Sequence, residues 1–66
     1  MRVRINGKEE EIKEGGRLLD FINEKGLNPS TLVIEYNEKI LTQQDYEKIT
    51  FQPGDRVEIL RFVGGG

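Results

Sequence analysis

Neither cysteine nor histidine occurs among the 66 residues of this chain, and the two absences remove much of an enzyme's usual equipment. Without cysteine there is no disulfide, no thiolate metal site and no side-chain sulfur nucleophile. Without histidine the commonest general base and metal ligand is gone. No apolar run approaches the roughly 20 residues needed to cross a bilayer, and the N-terminus lacks a signal-peptide apolar core. These features give the expectation of a soluble cytoplasmic protein with no membrane contact. The formal charge of −2 and pI near 5.1, with Lys and Arg scattered and matched by acids, argue against the basic footprint of a nucleic-acid binder. A partner surface would then be basic or apolar.

What is present suffices for one small domain. Leu, Ile, Val and Phe supply 20 of the 66 residues, enough apolar material to place the chain outside the disordered class. At this length burial barely balances the loss of chain entropy.

The final eleven residues, Arg56 to Gly66, organise the rest. Val57, Ile59, Leu60, Phe62 and Val63 have the branched and aromatic character of a strand buried for most of its length in the middle of a sheet. Gly64, Gly65 and Gly66 follow without a polar spacer. Lacking Cβ atoms, they suit a flexible tail threading a channel too narrow for other residues, and stretched out they reach about 10 Å beyond the strand. The competing reading is a frayed end. The expected division is residues 1–63 as the domain and 64–66 as the tail.

From the start of the chain, Met1, Val3 and Ile5 alternate with Arg2 and Arg4 as in a half-buried strand. Asn6-Gly7 is the strongest short-range hairpin signal, and Lys8 to Lys13 would return with Ile12 pointing inward. Glu9, Glu10 and Glu11 alternate across the strand, with no distant ligand to complete a metal site, and read as a solvated face. Glu14-Gly15-Gly16 lacks phosphate-loop spacing and reads as a turn and helix N-cap. Leu18, Leu19, Phe21 and Ile22 form the apolar stripe of a helix over 17–25. Gly26 supplies its left-handed cap, with Leu27 folded back. Thr31 to Tyr36 reads as a buried strand, Asn37-Glu38 as a tight turn and Lys39 to Leu41 as a short edge strand. Thr42 to Lys48 reads as a loop with one helical turn, Asp45 near its start, and Tyr46 and Ile49 as an apolar pair. Pro53-Gly54-Asp55 is the turn launching the last strand.

One helix covers one face of such a sheet. Placing the last strand beside the first, in parallel, lets the helix lie across all the apolar faces, which gives an α+β, ubiquitin-like β-grasp fold with a mixed sheet of about five strands. Val57 and Ile59 then face the helix. Leu60 and Phe62 fall on the opposite face, either exposed as a docking patch or covered by loop residues.

Over nearly its full length the chain resembles the ThiS family, ubiquitin-like sulfur carriers of thiamine biosynthesis. The resemblance rests on Met1 to Gly7, Glu14-Gly15-Gly16 before Leu18-Leu19, Val33 to Asn37, Gly54 to Ile59, and Phe62-Val63-Gly64-Gly65-Gly66 at the end; Gly64 stands where the family varies. It implies a carrier with no catalytic side chain and no bound metal or cofactor of its own. Gly66 would carry the adenylate and then the thiocarboxylate, Gly64 and Gly65 would enter partner active sites, and Leu60, Phe62 and Val63 would bind partners. The implied partners are an E1-like, ThiF-like adenylyltransferase using MgATP, a ThiG-like thiazole synthase, and a sulfur donor such as a cysteine desulfurase or persulfide, with the carrier a monomer when free. The physical need for activation is plain: a terminal carboxylate, pKa about 3.3–3.7, is ionised at neutral pH and a poor electrophile. A MoaD-like carrier for molybdopterin, a carrier for cysteine or methionine pathways, a ubiquitin-like modifier and a β-grasp interaction module with an inert tail are the alternatives.

Overall fold

A computed structural model describes residues 1–62; Val63, Gly64, Gly65 and Gly66 lie outside the described residues, as do the expectations placed on them. Five strands, β1 (Arg2–Ile5), β2 (Lys8–Glu11), β3 (Leu32–Tyr36), β4 (Lys39–Ile40) and β5 (Arg56–Arg61), form one sheet in the order β2-β1-β5-β3-β4. The main helix α1 (Leu18–Glu24) follows the first hairpin, and the short helix α2 (Gln43–Tyr46) fills the loop before β5. Strand β5 is central, parallel to β1 and antiparallel to β3. This is the β-grasp arrangement.

Local chemistry accounts for each junction. Asn6 and Gly7 both take positive φ (52° and 79°), as do Asn37 and Glu38, so both hairpins turn through a backbone whose twist matches the flanking strands. Helix α1 stops in a complete Schellman motif: Leu27 N–H reaches the Ile22 carbonyl at 3.1 Å and Gly26 N–H the Asn23 carbonyl at 3.0 Å. Thr42 and Asp45 form a reciprocal capping box at the start of α2, which holds the Asp45 carboxyl below its usual range through hydrogen bonds from the Thr42 backbone and hydroxyl.

Three details differ from the sequence reading. The second strand ends at Glu11 rather than Lys13, because the Lys13 carbonyl turns to receive the Gly16 N–H at 2.9 Å; Ile12, partly buried, still points to the core. The glycine pair does not cap the helix. Arg17 stands at the cap without a side-chain bond, and the Leu18 N–H is satisfied instead by the Ile49 carbonyl at 3.1 Å. Gly16 is required for close approach, since a Cβ there would lie 2.5 Å from the Ile12 Cγ2. Finally, β5 is central but not buried for most of its length. Only Val57 is fully buried, and Ile59 is half-buried, because the helix covers one face of the sheet and leaves the other to solvent.

The core lies between α1 and the sheet: Val3, Ile5, Leu18, Ile22, Leu32, Ile34, Tyr46, Phe51 and Val57 are all buried. Phe51 is the largest fully buried side chain, and its ring meets Phe21 edge-on, centroids 6.1 Å apart. A fully buried apolar side chain of this kind contributes about 1.5–3 kcal/mol. Phe51 N–H bonds the Gly16 carbonyl at 2.9 Å, so the segment after α2 is laced to the start of α1.

Candidate functional site

The uncovered end of β5 concentrates the molecule's exposed apolar surface. Leu60 and Phe62 are each 64% exposed on the face away from α1, and Val33 of β3 lies directly opposite Leu60. Ile40, on the edge strand and 63% exposed, extends the same face. Thus Leu60 and Phe62 come together as an exposed pair, and no loop among the described residues covers them. The sequence reading had not placed Val33 or Ile40 in this patch; their side of the sheet follows only from the register with β5.

Two polar devices fix the strand that bears the patch. At its start, the buried carboxylate of Asp55 accepts from the Gln52 N–H at 2.8 Å, the Asn37 side-chain amide at 3.1 Å and the Tyr36 hydroxyl. Asn37 closes the circuit by accepting from the Arg56 N–H at 2.9 Å. Burial, with the Asp55 carboxylate alongside, pushes the Tyr36 hydroxyl up to about 12. Further along, Asn6 replaces a missing strand neighbour. Its side-chain oxygen accepts from the Ile59 N–H at 2.7 Å, and its amide donates to the Ile59 carbonyl at 3.3 Å. Beyond Ile59, Phe62 N–H still reaches the Thr31 carbonyl of the β3 approach at 2.7 Å. The strand is therefore held up to the last described residue.

The reactive inventory is sparse. Among the described residues no group of three or more carboxylates could hold a metal ion, and no helix is long and apolar enough to cross a membrane. The perturbed groups serve structure: Asp45 caps α2, Tyr36 tethers Asp55, and Tyr46, its hydroxyl pushed up by burial, donates to the Leu32 carbonyl. The geometry provides a hydrogen-bonded strand end with an exposed apolar face beside it, and in the sequence three glycines follow Val63.

A family model described as the ThiS family matches residues 3–66. The chain belongs to the ThiS family. Members of the ThiS family are sulfur carriers without catalytic activity of their own. Among curated relatives, the uncharacterized protein ycf40 of Trieres chinensis is 40% identical over 62 residues, 94% of this chain and 85% of its own length. The sulfur carrier protein TtuB of Thermus thermophilus is 36% identical, covering 89% of this chain and 85% of its own. The sulfur carrier protein ThiS of Bacillus subtilis is 29% identical across 97% of this chain and 98% of its own. A thiazole synthase of Magnetococcus marinus matches all of this chain at 26% identity, yet the chain spans only 20% of that protein. The crystal structure of the thiamine biosynthesis protein ThiS from Geobacter metallireducens superposes with a TM-score of 0.81 at 26% identity over the whole of both chains. This ThiS-family chain thus shares the fold of ThiS.

Proposed function

We propose that this chain carries sulfur as a thiocarboxylate on Gly66 for thiazole formation in thiamine biosynthesis. The observation that carries the reading is the exposed Leu60 and Phe62 pair at the end of β5, with Val63 and three glycines next in the sequence. The match of the whole chain to a segment of a thiazole synthase supports the thiazole assignment.

In this reading the Gly66 carboxylate oxygen attacks the α-phosphorus of ATP in an E1-like, ThiF-like partner. Pyrophosphate leaves, and an acyl-adenylate forms with Mg²⁺ and nucleotide held by the partner. A sulfide ion then attacks the acyl carbon and AMP leaves with the electron pair of the broken C–O bond, giving the thiocarboxylate after loss of one proton. A persulfide from a cysteine desulfurase gives an acyl disulfide instead, which a thiol cleaves to the thiocarboxylate with formation of a disulfide. A ThiG-like thiazole synthase accepts the sulfur. Gly64 and Gly65 give the tail access to these sites, while Leu60, Phe62 and Val63 dock against the partners.

Intact mass after incubation with MgATP, the E1-like partner and sulfide tests the reading. The expected result is a gain equal to exchange of one oxygen for sulfur, mapped to Gly66, and its loss in Gly65→Leu with the fold unchanged. An unchanged wild-type mass refutes it. The identity to TtuB favours a second reading, a carrier serving a different acceptor; failure of the thiocarboxylate to support thiazole formation with a thiazole synthase would select it.

A further inference from the structure

Strand β5 outruns its neighbour on one side. Strand β1 ends at Ile5, where the chain turns at Asn6 and Gly7, while β5 continues to Arg61. Backbone groups alternate in direction along a strand. The Asp55 and Val57 carbonyls therefore accept from Arg4 and Asn6 on the β1 side, at 2.8 and 2.9 Å, whereas the Phe62 N–H turns to Thr31 on the β3 side. Ile59 faces the β1 side, and there the Asn6 side chain occupies both its N–H and its carbonyl. By the same alternation, the N–H and carbonyl of Arg61 are the first on that side with no strand beside them among the described residues. Uncovered edge groups of this kind are a template for an added strand.

The surroundings specify what could lie there. A groove of about 370 Å³ between α1 and the sheet opens against this edge, and Lys8, Lys25 and Arg61 line it against a single acid, Glu10. Lys25 is held with its ammonium 5.4 Å from the centre of the Phe21 ring. The groove therefore carries a local excess of two positive charges on a chain whose formal charge is −2, so at this edge an acidic partner surface fits, against the basic or apolar one expected from net charge. A second copy of this chain is a poor occupant, since edge-to-edge pairing at this point would bring two Arg61 side chains together. The edge is also continuous with the residues leading to Gly66.

We propose that an extended acidic segment of the activating enzyme pairs with the free edge of β5 at Arg61, its carboxylates set against Lys8, Lys25 and Arg61. The proposal rests on the reading that such an enzyme adenylates Gly66. Pairing there would align the chain leading to Gly66 by main-chain hydrogen bonds, while the charges select the partner and speed encounter.

The test is steady-state pyrophosphate exchange by the E1-like enzyme, with the full-length carrier as the varied substrate. The Lys25→Glu/Arg61→Glu double variant should raise KM about tenfold or more with kcat little changed, the signature of lost uniform binding. Raising the salt concentration should increase KM for the wild type and much less for the variant. Arg61→Pro removes an N–H that faces the free edge and leaves the β3 ladder intact, so its KM should exceed that of Arg61→Gln. If the proline variant does not fold, the charge variants and their salt dependence decide alone. Exchange with unchanged KM in the charge variants overturns this inference and leaves the carrier reading standing. Absence of exchange with the wild-type chain refutes the carrier reading and this inference together.

Discussion

Two phenylalanines eleven positions apart should respond in opposite ways to the same truncation. Phe62 is 64% exposed, whereas Phe51 is 1% exposed and meets Phe21 edge-on. Full burial of a phenylalanine is worth about 1.5–3 kcal/mol, so the roughly one third of Phe62 already covered corresponds to about 0.5–1 kcal/mol of fold stability. For a domain of this size that lowers Tm by about 2–8 °C. The exposed remainder is available to a partner, and burying it would contribute about 1–2 kcal/mol, so Phe62→Ala should weaken affinity for the activating enzyme roughly 5- to 30-fold. Phe51→Ala leaves a cavity and should cost about 3–5 kcal/mol, against a total stability of about 3–10 kcal/mol for a chain of this length. Urea denaturation followed by circular dichroism measures the first quantity, and titration calorimetry with the partner measures the second. A loss above about 2 kcal/mol of stability in Phe62→Ala, or unchanged affinity, would refute the assignment of this side chain to docking.

The network at the base of β5 gives further expectations. Asp55→Ala strands the Gln52 N–H, the Asn37 amide and the Tyr36 hydroxyl, and should cost about 2–4 kcal/mol by urea denaturation. The Tyr36 hydroxyl, raised from 10.0 to about 12, keeps its proton in the folded chain after the unfolded chain has lost it. Stability should therefore be intact below pH 10 and decline as pH rises from 10 to 12; with the hydroxyl partly open to water, the loss should be on the order of 1 kcal/mol, and Tyr36→Phe should abolish this component of the pH dependence. Asn6→Gly retains the positive-φ turn but deletes the side-chain bonds to Ile59, so global stability should change by less than about 1 kcal/mol while exchange of the Ile59 amide hydrogen accelerates markedly.

The elements that were legible in the sequence were those with a strong local code. Asn6-Gly7 announced a turn through residues that tolerate positive φ, as did Asn37 in the second hairpin, Gly26 and Leu27 announced a Schellman end, and the 3.6-residue spacing of Leu18, Leu19, Phe21 and Ile22 announced the helix. The face that Leu60 and Phe62 occupy was also legible, because a single helix covers one face of the sheet and alternation assigns residues to the other; that no described loop covers them came only from the structure. Phe51 was not, since it stands alone between polar neighbours and a proline with no periodicity to mark it. Asp55 was read as a turn residue only. Its three donors come from Tyr36, Asn37 and Gln52, two of them 18 or 19 positions away, and spacing in the sequence carries no trace of that convergence. The second role of Asn6 depends likewise on Ile59, 53 positions on. Of the candidate site, the placement of Leu60 and Phe62 on the face away from the helix was visible in advance, while the devices holding their strand emerged only from the sheet register.

The strand leading to the glycines is also the middle of the sheet, joining Arg4 to Arg56 and Glu35 to Glu58. On a ribosome, β1 and β3 are made well before the strand that must lie between them, and neither can complete its ladder until synthesis has passed Arg61. Such distant pairing delays closure of the sheet. It also makes folding a form of proofreading: a chain terminated before Arg56 lacks the centre of its own sheet and cannot settle into a form that partners would recognise. A chain cut before Arg56 would then remain unfolded and open to proteolysis.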